Sequence, residues 1–375
     1  MSIQPDLQIV HTSSHSTLYG LSYSEHDIGQ THALTSGRVE NELANHVQQY
    51  VFSGLTGFRW PFANFPNTQA SAAEIFVTTW IAIEELCKWG FTPLYVCMDG
   101  SANNRFFLKM HFPDSNPIAS HMIANHFKNP TKRIVFLMDT CHLLKKIRNS
   151  VLSSGFLSSH QRLLTVNGKF IIWKMWIDAF NWDQSTNSFK IHNKLTDDHI
   201  FPSNAQEMKN NLAFETLDSN MLHLMKKYSE TFNGAGQTEM TGVLTSSFLV
   251  SFFNDSRPIK DLSDPRIQTF TEVYDWFKAW ENQYAGESET NKRYKALMTM
   301  ETRKDLDFMF RGFISLLEIC ICEIKIEIVP SRINSDIIEN IFYQQRSLYH
   351  GATTNPTYNQ YRTAISSIVL GQATT

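Results

Sequence analysis

Residues 135–149, VFLMDTCHLLKKIRN, constrain the fold more than any other stretch of the chain. Residues 135–139 read as a buried strand that ends in an acid. A helical pattern follows at once. Leu143, Leu144, Ile147 and Val151 recur on one face, and His142, Lys145, Lys146 and Asn149 fall on the other. A strand running straight into an amphipathic helix belongs to an alternating α/β architecture. An acid at the strand end facing a basic, amide-bearing helix suits phosphate chemistry. The same residues equally describe an ordinary strand–helix unit with a solvated basic face.

The upstream sequence repeats the pattern. A weak strand signal at 7–10 lies within a polar stretch rich in Ser and His. Residues 47–52 and 57–62 are short, aromatic and β-branched, with the second run closing near Pro61. Ile75, Trp80, Ile83 and Leu86 give helical periodicity across 71–90, with Gly90 placed as a C-cap. Residues 94–98 then form another apolar strand ending in an acid, Asp99. The first 150 residues therefore predict a sheet flanked by helices. From 151 to 285 the pattern is mainly helical, clearest at 208–227, and Trp173, Trp176 and Trp182 are expected in the core. The hydrophilic run 281–292 (ENQYAGESETNK) predicts a linker or exposed loop, and the chain turns apolar again from Phe308. After Glu339 there is no Asp or Glu, and Arg346, His350 and Arg362 make the tail mildly basic.

Composition narrows the function. A chain of 375 residues, 42% hydrophobic with 27 Phe, has material for about two or three domains. A net charge of −3 gives no whole-protein attraction to nucleic acid, so any such binding needs a local patch. Lys128, Lys132, Arg133, Lys145, Lys146 and Arg148 make one, opposed only by Asp139. The five cysteines (87, 97, 141, 320 and 322) lack framework or metal-ligand spacing, which argues for reduced thiols, an intracellular home and no zinc site. No apolar run reaches the roughly 18 residues of a membrane span, and no signal-peptide block opens the chain.

Two acids stand out. Asp99, in VCMDGSANNRFFLKMH, sits at a strand's C-terminal edge, where a carboxylate can hold a metal. It also fits a strand-terminating Asp-Gly turn with Asp or Asn capping the next helix. Glu339 shares a helical stripe with Asp336, Tyr343 and Arg346 above an apolar face of Ile337, Ile338, Ile341 and Phe342. Asp336-x-x-Glu339 also has the spacing of a capping box.

Five blocks in order carry a resemblance: DGSANNRFFLKMH (99–111), KNPTKRIVFLMDTCHLLKKIRNS (128–150), NGKFIIWKMW (167–176), KLTDDHIFPSNAQEMKNNLAFETL (194–217), and INSDIIENIFYQQR (333–346) with GATTNPT (351–357). Together they resemble P-element-type transposases, including the catalytic region of THAP-domain transposases. The resemblance implies an α/β RNase H-like catalytic domain interrupted by a mainly α-helical insertion. The expected division is 1–150 for the N-terminal part, 151–285 for a GTP-binding-type insertion, and 286–375 for the C-terminal part with the catalytic-Glu helix and basic tail. It further implies a DDE-type site in which three carboxylates hold two Mg²⁺ ions, roughly 3.5–4 Å apart, for DNA cleavage and strand transfer.

Carried over by motif, Asp99 matches the second catalytic Asp and Glu339 the Glu of the NxDxxE helix. The best counterpart of the first is Asp6, although Leu7 stands where the family has Glu and only five residues precede it. Cys141 replaces the usual Pro, while His142, Leu143, Lys145, Arg148 and Asn149 are retained. Lys145, Lys146, Arg148 and Arg346 are the candidate nucleic-acid contacts. Lys194, Asp197, Asp198, His199 and Lys209 keep family-like positions in the insertion; no P-loop is present, so GTP rests on the resemblance. No THAP zinc module occurs in the sequence. DNA partners, a homo-oligomer and a nuclear location follow from the same likeness. The competing expectation is an inert, domesticated or decayed remnant that binds nucleic acid or a protein.

Overall fold

The computed structural model describes residues 1–13, 16–22, 43–112, 121–186, 189–231, 240–286, 291–348 and 355–372. Residues 287–290 of the expected linker, His350 and the first four residues of GATTNPT (351–354) lie outside the described residues. The fold is mixed α/β, rich in helix, with small sheets.

In chain order, β1 (Gln8–His11) pairs antiparallel with β2 (Ser16–Tyr19), and β3 (His46–Ser53) with β4 (Arg59–Asn67). Pro61 lies inside β4 rather than ending it. The ladder shifts register beside it, where a residue without an N–H is tolerated. Helix α1 (Ala72–Lys88) follows the sequence signals closely. Ser71 caps it in a reciprocal box with Glu74, and Gly90 takes φ +86° just beyond its end. The Gly90 and Phe91 amides then close onto Cys87 and Leu86, a Schellman ending.

Next come β5 (Tyr95–Met98), α2 (Ala102–His111), β6 (Met122–Asn125), β7 (Asn129–Met138) and α3 (Thr140–Leu152). The three strands form one sheet in the order β5-β7-β6. After the β8 (Leu164–Val166) and β9 (Lys169–Ile171) hairpin come α4 (Lys174–Thr186), the single turns α5 (Asp197–Ile200) and α6 (Asn204–Glu207), then α7 (Asn210–Leu217) and α8 (Ser219–Thr231). The helix expected across 208–227 is thus two. Asp218 breaks it, because its carboxylate accepts the Met221 N–H and starts α8. The chain ends with α9 (Met240–Phe253), α10 (Pro265–Asn282), α11 (Asn291–Ala296), α12 (Met300–Glu318), α13 (Asp336–Leu348) and α14 (Tyr358–Gln372).

These elements make two compact units. The first comprises 1–96, 101–134 and 335–375; the second comprises 97–100 and 135–334. This division differs from the boundaries expected after 150 and 285. Residues 286–334 stay with the helical unit because Arg162 donates to the Tyr294 and Leu297 carbonyls, and Arg303 pairs with Glu281 at 2.5 Å. The first unit's core joins Val47 of β3, Ile337 and Ile341 of α13, and Tyr361, Ile365 and Ile368 of α14. Each such buried side chain contributes about 1.5–3 kcal/mol. The second unit packs Phe252, Phe253, Phe270, Phe310 and Phe313 ring against ring, with Phe270 and Phe310 4.6 Å apart. Trp173 and Trp176 stack at 5.4 Å and donate to the Ile200 and Thr216 carbonyls. No helix among the described residues is long and apolar enough to cross a membrane.

Candidate functional site

The site grows from the residues that join β5 and β7 to the turn and helix that follow them. Ile134 to Met138 are all buried, as the apolar run requires, and Asp139 ends the strand. Asp139 is 1% exposed; its carboxylate accepts the His142 N–H at 2.9 Å and its own N–H donates to the Met98 carbonyl at 2.8 Å. It is the N-cap of α3, and this sets the helix start against the end of β5. Leu143, Leu144, Ile147 and Val151 are buried, so the apolar stripe faces inward as read from the sequence.

Asp99 follows Met98 directly, and its carboxylate is 41% exposed. The cap of α2 is Ser101, which accepts the Asn104 N–H. Ser101, rather than Asp99, is therefore the N-cap of α2. One Asp99 oxygen lies 3.8 Å from His142 Nδ1, in reach of a charge interaction and long for a direct hydrogen bond.

One turn beyond His142, Lys146 points inward. Its ammonium donates to the Gly100 carbonyl at 2.9 Å and to Asp305 Oδ2 at 2.8 Å. Asp305, on α12, is 2% exposed, and the Lys146 side chain 29%. A Cβ on Gly100 would overlap both the Asp305 carboxylate and the Lys146 ammonium. Only glycine lets the ion pair close over the turn that carries Asp99. Asp305 was not singled out in the sequence. Its one signal was an acid at helical spacing with Thr302, Leu306 and Met309, all buried.

The remaining predicted residues are spread over both units. In the second, Lys145 donates to the Met208 carbonyl. Arg148 is fully buried and donates to the Glu207 carbonyl at 2.9 Å; burial pulls its pKa down from the ordinary arginine value. This corrects Arg148 as a phosphate contact: a side chain with no exposed surface packs the interior. In the insertion, His199 accepts the Thr196 N–H on Nδ1, so Nε2 carries the proton donated to Glu215 at 2.7 Å.

In the first unit, Asp6 precedes β1 and accepts from Gln8, whose own carbonyl accepts from Asn359 of α14. Its backbone carbonyl lies where a Cβ on Gly20 would stand, and Gly20 has φ +112°. Glu339 is exposed, and its N–H donates to Ser335. Helix α13 starts at Asp336, which places Asp336 and Glu339 in its first turn. Arg346 is half-buried. Carboxylate oxygens are the donors a hard divalent cation takes. Among the described residues, however, no three His, Cys, Asp or Glu side chains gather closely enough to hold one.

No family model and no curated protein matches the chain. A solved structure, the Drosophila P element transposase strand transfer complex, is similar with a TM-score of 0.72 and 17% identity, covering 99% of this chain and 75% of that one. The likeness is one of fold, and the fold is transposase-like.

Proposed function

We propose that this chain is the core of a transposase-derived protein that binds DNA, with Asp99, Glu339 and Asp6 as its acidic set and Mg²⁺ as their cation. The observation that carries the proposal is the likeness in fold to the transposase across nearly the whole chain. The partly exposed side chain of Asp99, at a strand end beside the Lys146–Asp305 ion pair, supports it. The ancestral reaction in this reading is metal-dependent cleavage and strand transfer of DNA phosphodiesters. A nuclear site of action, self-association and a GTP-binding insertion belong to the same reading.

A second reading is a catalytically inert DNA- or partner-binding descendant. It is favoured by the lack of any three-acid group among the described residues and by the Gln8 amide seated on Asp6. One experiment separates the two. Purified protein is assayed with Mg²⁺ or Mn²⁺ on terminal-inverted-repeat and random duplexes, beside Asp99→Ala and Glu339→Ala. Metal-dependent nicking lost in both variants supports the enzyme. Nicking retained in both sinks the site assignment, and binding without nicking selects the inert reading.

A further inference from the structure

The end of the β3–β4 hairpin carries an aromatic face. Side chains alternate along a strand, so Phe58, just before β4, and Trp60 and Phe62 within it share one side, with Phe52 of β3 directly opposite Trp60. Trp89 and Phe91, just past α1, complete the layer. Trp60 meets Trp89 edge to face at 6.4 Å, and Phe91 lies 4.5 Å from Phe52 and 5.9 Å from Trp60. None of these six rings is buried; Trp89 is 71% and Phe58 54% exposed. In the second unit, by contrast, Phe252, Phe253, Phe270, Phe310 and Phe313 are all buried. The outer rings stand on firm backbone: the Gly54 N–H donates to the Phe58 carbonyl at 2.7 Å, and the Phe91 N–H to that of Leu86 at 3.0 Å. Contiguous exposed apolar surface of this kind marks a place where something binds.

Charge and hydrogen bonding decide what fits. A single nucleic-acid strand needs cations along its backbone beside the rings it stacks on. Here Arg59 alternates onto the other side of β4, and Lys88 is paired with Glu84 at 3.0 Å and Glu85 at 2.8 Å. Two acids against one lysine leave the edge beside Trp89 negative. The Trp60 and Trp89 indole N–H groups have no acceptor among the described residues, whereas those of Trp80, Trp173, Trp176 and Trp280 all donate to protein. The face therefore combines apolar rings, available N–H donors and a negative edge.

We propose that this face binds a proline-rich segment of a partner protein in the polyproline II conformation, with a Lys or Arg of that segment set against Glu84 and Glu85. A polyproline II helix has no internal hydrogen bonds, so its carbonyls are open to indole N–H donors, and its proline rings pack on aromatic-lined surfaces. It is already extended before binding, and the rings that receive it stand on a hairpin and a helix end, so little order is lost on either side. The negative edge then selects a basic flank. This contact is independent of the DNA-binding reading above.

The test is fluorescence anisotropy of the full chain with labelled peptides: decaproline, decaproline ending in Arg, and a Gly-Ser peptide of equal length ending in Arg. Both proline peptides bind, the Arg-bearing one more tightly, and the Gly-Ser peptide does not. Trp89→Ala and Phe58→Ala each weaken proline binding on the order of tenfold, as truncation of an aromatic anchor does. The melting temperature is kept, because both side chains are largely exposed. Glu84→Gln/Glu85→Gln removes the advantage of the Arg-bearing peptide and leaves decaproline binding intact. Absence of proline binding, equal binding of the Gly-Ser peptide, or proline binding untouched by Trp89→Ala and Phe58→Ala overturns the proposal. So does competition by oligo(dT) that Trp89→Ala abolishes, which makes the face a single-strand platform. Self-association in sedimentation velocity that Trp89→Ala dissolves also overturns it, since the occupant is then a second copy.

Discussion

Lys146→Met leaves the Asp305 carboxylate without its cation in a place water barely reaches. Breaking one side of a buried pair costs about 3–5 kcal/mol. Lys146 retains 29% exposure, so part of its charge is screened in the wild type, and the lower end, about 3 kcal/mol, is expected. For a unit of this size each kcal/mol moves the melting midpoint by roughly 2–4 °C, so the fall is about 6–12 °C. The nearly isosteric Asp305→Leu costs less, because the Lys146 stem can carry its ammonium outward. The double variant Lys146→Met/Asp305→Leu removes both charges without leaving either one buried. It should return to within about 1 kcal/mol of wild type. Calorimetry of all four proteins closes a double-mutant cycle. Additive losses would refute the claim that the two side chains stabilise the turn as a pair.

Gly100→Ala should destabilise more than Gly90→Ala, and the added loss should shrink in an Asp305→Ala background, where the overlapped carboxylate is gone. Gly90→Ala meets no atom within 4 Å, so only its left-handed backbone objects, at about 1 kcal/mol by urea unfolding; a loss above about 2 would refute that. At His192, burial opposes the charged ring, but the Asp218 carboxylate at 3.3 Å and the Glu215 carbonyl at 2.9 Å outweigh it and raise the pKa. A pKa raised on folding gives stability that is full below about 6.5 and fades as pH rises through the folded value. The melting advantage of wild type over His192→Gln should therefore shrink as pH rises above about 6.5; a growing advantage would contradict the assignment.

Local chemistry was readable because it depends on neighbours in sequence. The Ile75–Ile83–Leu86 periodicity closed by Gly90, and the Leu143–Leu144–Ile147–Val151 stripe, each announce their element, and each takes the predicted place. Longer-range choices were not readable. Lys146 looks like any lysine on a polar helix face until Asp305, 159 positions away, turns it inward. Arg148 had a faint signal, since it lies four residues after Leu144 and three before Val151, beside the buried stripe. The exposed half of β7 was seen as part of a basic patch, but its separation from Lys145 and Lys146 into another unit depends on where the chain folds back.

The pairing of Lys146 with Asp305 also has a consequence in time. During synthesis, Asp99 and its glycine emerge first, then Lys146, and the acid that fixes them only after a long stretch of further chain. Contacts of such sequence separation form late. Until α12 leaves the ribosome, the turn bearing Asp99 has its lysine but not the lysine's counter-charge. A product ending before Asp305 would carry Asp99 without the group that orders its turn.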